Sequence, residues 1–307
     1  VRSWEPTDGL VGPLDEALAH CAAAGFSGVI RVIGAPGGTV YLADGGVAAI
    51  ETPGAPGPEV VLLRSGRVPE ADWEAASVAA AVAGRPLQAE LVRLGLVGAG
   101  ELEAVLRTAM ADAMFAFADG FVDTCRAEEV AVDCALALDP SADATWLLAE
   151  ALRRMHVIGA LPDPALHARD RVAAVPGASP PGAVLGGGRD EILALVDGRR
   201  SGRDLAFALG HGLYAVMLQL ARMREEGLVV STARGVVPPP GDGDGDGDSG
   251  RGRTDSDEGK TPAGLPRRQK DRPAQPRGGG QPGGFPLPAV RRLLRPRADG
   301  HARPGDT

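Results

Sequence analysis

A chain of 307 residues is long enough for one large or two modest globular units at roughly 150 residues each. Its 32 Lys and Arg stand against 40 Asp and Glu, a formal net charge of −8 with a pI near 5.2, which disfavours nonspecific binding of nucleic acid or anionic lipid by the body of the protein. The sequence contains no uninterrupted apolar run of about 18 residues, so a membrane-spanning helix is not expected.

The charge is unevenly spread. From Val236 onward, Gly and Pro account for 27 of 72 residues while Leu, Ile, Val and Phe account for only 8. So little apolar side chain cannot offset the entropy of ordering a backbone, and residues 235–307 are expected to be a disordered tail rich in Gly, Pro, Arg and Asp. Val1-Arg2-Ser3-Trp4-Glu5-Pro6 lacks the basic, apolar and small-residue sections of a secretory leader, and Val1 in place of Met hints at an alternative start codon or at residues missing upstream. Cys21, Cys125 and Cys134 are odd in number and widely spaced, which argues against a disulfide framework and suits a reducing cytoplasm.

In chain order, Pro13 to Ala24 reads as a helix, with Leu14, Ala17, Leu18 and Cys21 on one side and Gly25 as its stop. A β-meander follows: Val29–Ile33, Val40–Leu42 and Val47–Ile50, punctuated by Gly34–Gly38 and by Asp44-Gly45-Gly46. Asp-Gly is a strong hairpin signal because both residues tolerate positive φ. After a Pro/Gly loop from Thr52 to Pro58, the pattern turns helical over 60–118. Its clearest stretch is Glu101 to Ala118, with Leu102, Val105, Leu106, Ala109, Met110, Ala113 and Phe117 on one stripe. Phe121–Thr124 and Ala135–Leu138 read as further strands. Ala144 to Met155 reads as a helix burying Leu148, Ala151, Leu152 and Met155, with Arg153 and Arg154 placed favourably for the negative end of its dipole.

Residues 161–188, rich in Pro and Gly, read as a linker. Beyond them, Asp190–Val196, Arg203–Leu209 and Leu213–Glu226 read as three short helices stopped by Gly198, Gly210 and Gly227, and Leu228–Ser231 as a strand. That order suggests a helix-turn-helix with a rudimentary wing over residues 189–234.

The segments Gly28-Val29-Ile30-Arg31-Val32, Gly38-Thr39-Val40-Tyr41-Leu42-Ala43-Asp44-Gly45-Gly46-Val47 and Trp146-Leu147-Leu148-Ala149-Glu150-Ala151-Leu152-Arg153-Arg154 resemble the core of the PATAN family, a domain of unknown function first recognised in a heterocyst-patterning regulator. The resemblance covers about Asp8 to Met155, half the chain. Arg189 to Val230 is similar to the winged-helix units that often follow such domains. Together they imply an α+β fold: a PATAN-like domain over residues 8–160, made of a helix, a β-meander and a helical subdomain, then a small winged-helix-like domain over residues 189–234. They also imply regulatory or adaptor duty in a bacterial signalling system, and supply no functional residues.

Catalytic patterns are missing from the sequence. His20, His156, His167, His211 and His301 form no close ligand spacing for a metal. Gly34–Gly38 lacks the Gly-Lys-Ser/Thr ending of a phosphate loop, and Gly186-Gly187-Gly188-Arg189 reads better as a flexible joint than as an anion site. The Gly-Asp alternation of residues 241–248 has neither the interleaved hydrophobics of a calcium roll nor the closing Glu of an EF-hand. The expectation is no enzyme, no cofactor and no metal.

The third helix of the C-terminal unit separates a DNA reader from a protein binder. Leu213, Val216, Met217, Leu220 and Met223 fall on its core side, leaving Tyr214, Ala215, Leu218 and Arg222 as a candidate interaction face. A groove-reading helix normally offers Arg, Lys, Asn or Gln near its N-terminus, so this face suits protein contact better. The alternative is a DNA-binding transcriptional regulator with Arg199, Arg200, Arg203 and Arg222 on phosphates, although seven Arg against six acids over 189–234 is a small excess for that task. In the tail, Phe285–Arg295 mixes apolar and basic residues as a docking motif would. The expected partners are other signalling proteins, with DNA as second choice and self-association left open.

Overall fold

The computed structural model describes residues 2–4, 9–131, 134–161, 166–177 and 188–232. The expected tail, residues 235–307, with its Gly-Asp run and Phe285–Arg295, lies outside them.

The fold is α+β, organised on a five-stranded antiparallel sheet of β1 (Arg2–Trp4), β2 (Gly28–Ala35), β3 (Gly38–Ala43), β4 (Gly46–Glu51) and β5 (Phe121–Glu128), in the order β1-β5-β2-β3-β4. The meander runs through β2, β3 and β4 as expected, and the Asp44-Gly45 turn takes the positive φ angles, 51° and 80°, that suit those residues. Strand alternation gives the sheet two unlike faces. Ile30, Val32, Val40, Leu42, Cys125 and Ala127 point into the core, beside Leu14, Ala17, Leu18 and Cys21 of α1 (Pro13–Ala23). On the other face, Tyr41 donates to Glu51 at 2.8 Å and Arg31 to Thr39 at 3.1 Å.

Between β4 and β5 lie two helix-turn-helix hairpins, α2 (Pro58–Arg64) with α3 (Glu70–Ala83) and α4 (Leu87–Arg93) with α5 (Ala99–Asp119). They are repeats. Leu62-Leu63-Arg64-Ser65-Gly66-Arg67-Val68 recurs 29 residues later as Leu91-Val92-Arg93-Leu94-Gly95-Leu96-Val97. In both copies the Gly has φ near 70° and the closing Val is 1% exposed. The shared pattern explains why two short helices end at equivalent points: each needs a left-handed residue to turn and an apolar anchor to hold the turn.

Three expectations are corrected. Ala135–Leu138 is irregular rather than a strand, held at the sheet edge where the Leu138 N–H donates to the Ala48 carbonyl at 2.8 Å. Helix α6 (Ala144–Gly159) forms, but its buried stripe is Ala144, Leu147, Ala151, Arg154 and Ile158, leaving Leu152 43% exposed. The sequence carries two leucine-containing stripes on this helix, and packing against α5 selects the one that carries Arg154. Within the stretch expected to be a linker, β6 (Arg171–Ala174) pairs antiparallel with β7 (Val229–Thr232), and Val172 is fully buried.

The last helices are α7 (Arg189–Leu195), α8 (Gly202–Leu209) and α9 (Leu213–Glu225). Ser201 caps α8 through a reciprocal pair with Asp204. Their core includes Leu205, Leu213, Val216, Met217 and Leu220 and is continuous with Phe115 and Ala116 of α5 and Ile158 of α6. Helix α5 is therefore apolar all round from Ala109 to Phe117, apart from Asp112, because it is covered on opposite sides.

The placement of α6 is checked by two truncations. Leu147→Ala is expected to cost about 2–5 kcal/mol in denaturant unfolding, whereas Leu152→Ala, at an exposed position, should stay within about 0.5 kcal/mol.

Candidate functional site

The site begins with one acid in an apolar run. Asp112 sits alone in Ala109–Ala118 of α5 and is 2% exposed. Its Oδ1 accepts from Arg154 Nη1 of α6 at 2.6 Å and from the backbone N–H of Tyr214 at 3.1 Å. Burial pushes the Asp112 carboxyl up from its ordinary value, against the opposing pull of Arg154 and of the Leu213 and Tyr214 N–H groups. Those two residues open α9, whose own cap position is Gly212 and has no side chain to offer. Asp112 thus caps α9 from another helix, setting a carboxylate at the positive end of the helix dipole.

Glycine is required at this point. A Cβ on Gly212 would stand 2.5 Å from Asp112 Oδ2, and one on Gly210, whose φ is 66°, would stand 2.8 Å from the Ser65 nitrogen at the end of α2. The turn between α8 and α9 is fitted against the α5 carboxylate and the α2 terminus.

Arg154 extends the network. Its Nε donates to Glu150 at 2.8 Å, and Glu150 also takes two bonds from Arg153, each 2.7 Å. Bonds from Arg153 and Arg154 hold the Glu150 carboxyl down at about 2. The Tyr214 ring lies 4.9 Å from the Arg154 guanidinium and meets Phe115 edge-on at 5.7 Å. Arg153 and Arg154 therefore do more than face a helix dipole: Arg154 is a buried tie between α5, α6 and α9.

Tyr214 is accordingly corrected. It is half-buried in this seam rather than outward, because the ring covers the ion pair. Ala215, Arg222 and Glu225 are exposed and Leu218 and Gln219 are half-buried, so the remaining outward side of α9 is uncharged in its first half and carries one arginine and one glutamate further on. Among the candidate phosphate contacts, Arg200 lies 3.5 Å from Asp197 and Arg203 lies 3.2 Å from Asp204, while Arg199 and Arg222 are exposed. The structure does not gather these arginines on the N-terminal end of α9, since that end is occupied by Asp112.

Asp112 escaped the sequence reading, although a lone acid in an apolar helix was the signal for it, and so did two surface features. A shallow trough on the outer side of α6 is lined by Ala149, Leu152, Arg153, His156, Val157 and Ala160, next to the seam because Arg153 also lies over Tyr214 at 5.9 Å. A cavity of about 160 Å³ lies between β4, α2 and α5, walled by Ile50, Leu106 and Met110 with Glu51 and Glu59 at its rim. The Cys125 thiol is pushed up to about 12 by burial and by the neighbouring Asp15, so it is protonated at neutral pH. Among the described residues no group of three His, Cys, Asp or Glu is placed to hold a metal ion, and no helix is long and apolar enough to cross a membrane. Compared with family models, curated proteins and solved structures, the chain matches none.

Removing Asp112 leaves a buried, half-paired Arg154 and an uncapped α9. Asp112→Ala is expected to cost about 3–5 kcal/mol and to speed amide exchange at Leu213 and Tyr214; Asp112→Asn should cost less, because its amide oxygen still accepts from Tyr214. The lowered Glu150 pKa gives a second check. Its stabilisation is complete above the ordinary value of 4.5 and is lost as pH falls toward about 2. Acid titration of unfolding should show Glu150→Gln losing less stability than the native chain across that window.

Proposed function

We propose that this is a non-catalytic bacterial regulatory protein that works through protein contacts of a PATAN-like α+β unit and a degenerate winged helix, in the cytoplasm. The observation that carries the reading is the orientation of α9. A helix that reads bases presents its N-terminal residues to the groove, and here Leu213 and Tyr214 are bonded to Asp112 inside the protein. What α9 turns outward is Ala215, Leu218, Gln219, Arg222 and Glu225, beside the α6 trough around Leu152 and Val157. A surface with an uncharged centre at Ala215 and Leu218 and no excess of positive charge suits a polypeptide partner. The pairing of Arg200 and Arg203 with local carboxylates also reduces the cationic excess that phosphate binding draws on.

Affinity capture with the full chain and with Leu218→Glu separates the readings. A partner retained by the native protein and lost with Leu218→Glu supports the proposal. Binding of random duplex DNA that weakens steeply with salt and disappears in an Arg200, Arg203, Arg222→Ala triple variant would overturn it in favour of a DNA-binding regulator.

A further inference from the structure

Helix α3 is apolar on two opposite sides. Trp73, Ala76 and Ala80 face the core. At 100° per residue, Ala71, Ala75, Val78 and Val82 fall within about 60° of one another on the far side. Their 4-3-4 spacing is that of a helix-pairing seam. The valines on it are 64% and 85% exposed, and Val82 is the most exposed large aliphatic residue among those described. In the second repeat, the positions 29 residues on from Val78 and Val82 are Arg107 and Ala111 of α5; Arg107 lies 6.0 Å from the Trp146 ring of α6, and Ala111 is 1% exposed. The second half of the equivalent side of α5 is thus covered, its first two positions, Gly100 and Ala104, are exposed, and on α3 the whole side is open.

We propose that a second copy of this chain covers it, with the two α3 helices antiparallel across a two-fold axis. Two features of α3 select this occupant. In the register that centres the seam, Ala71 meets Val82 of the other copy and Ala75 meets Val78, so small residues face large ones at every step and the backbones approach closely. Charge points the same way. Glu70, Asp72 and Glu74 crowd one end of α3; past its other end Arg85, 48% exposed, shares the buried Glu90 with Arg93, so two arginines stand there against one carboxylate. An antiparallel pair brings each acidic end near the partner's arginine; a parallel pair would stack the acids on one another. A helix of 14 residues is about 21 Å long. A contact of that length falls near or below about 1,200 Å² in area, so the dimer is weak and concentration-dependent.

The test is sedimentation of the full chain from micromolar to millimolar concentration. A monomer–dimer equilibrium is expected, with Val82→Glu raising the dissociation constant more than about tenfold at unchanged circular dichroism and melting. Under mild oxidation an Ala75→Cys, Val78→Cys double variant is expected to form an inter-chain disulfide. Leu152→Glu, on the exposed α6 trough, should leave the equilibrium intact. A chain that stays monomeric throughout, a dimer indifferent to Val82→Glu, a double variant that fails to cross-link, or a dimer abolished by Leu152→Glu would each overturn the proposal.

Discussion

A carboxylate in an apolar interior is tolerated only where its charge and lone pairs are met, because water no longer meets them. Asp112 satisfies that condition with groups from two other elements, the Arg154 guanidinium of α6 and the first N–H groups of α9. The pairing constrains much of the architecture. It sets the rotation of α6, since Arg154 must face inward, and it holds the N-terminal end of α9 at α5. It also demands glycine in the α8–α9 turn, where a side chain would collide with the carboxylate.

The same constraint decides what the C-terminal helices present outward. With Tyr214 folded over Arg154 and against Phe115, the polar start of α9 is used internally, and its apolar flank and the α6 trough are left to solvent. The surface that bears on the proposed function is thus a by-product of how one ion pair is accommodated. An ion pair so enclosed adds little net stability by itself, and its main effect is to select one arrangement of helices over others.

The repeated hairpins show a second economy of design. One helix-turn-helix pattern appears as α2–α3 and as α4–α5, with the same leucine, arginine, glycine and valine at corresponding points. Context distinguishes the copies. Helix α5 is enclosed by the sheet, α6 and α9, whereas α3 keeps its Ala/Val seam uncovered. The Ala/Val stripe with helix-pairing spacing stays open over its full length on α3, whereas the second half of the equivalent side of α5 is covered.

By itself, the sequence determined what depends on near neighbours. The strands of the meander were legible from alternation and from the Asp44-Gly45 turn, and most helices from apolar periodicity and their glycine stops, because those signals act over a few residues. Tertiary structure decided the rest. Periodicity marked α6 but could not choose between its Leu148–Leu152 and Leu147–Ala151 sides, since both repeat at helical spacing and only the surface of α5 distinguishes them. Ala135–Leu138 has strand-like composition, yet it gives the sheet edge the Leu138 bond alone, and the bridge to β4 forms further on, between Val47 and Ala142. Asp112 went unremarked in the sequence: it is a lone acid in an apolar helix, but its partners lie 42 and 102 residues away, and no local rule pairs groups across that separation. Tyr214 looked outward for the same reason: helical geometry gives the direction of a side chain, and only the packed chain shows what stands there.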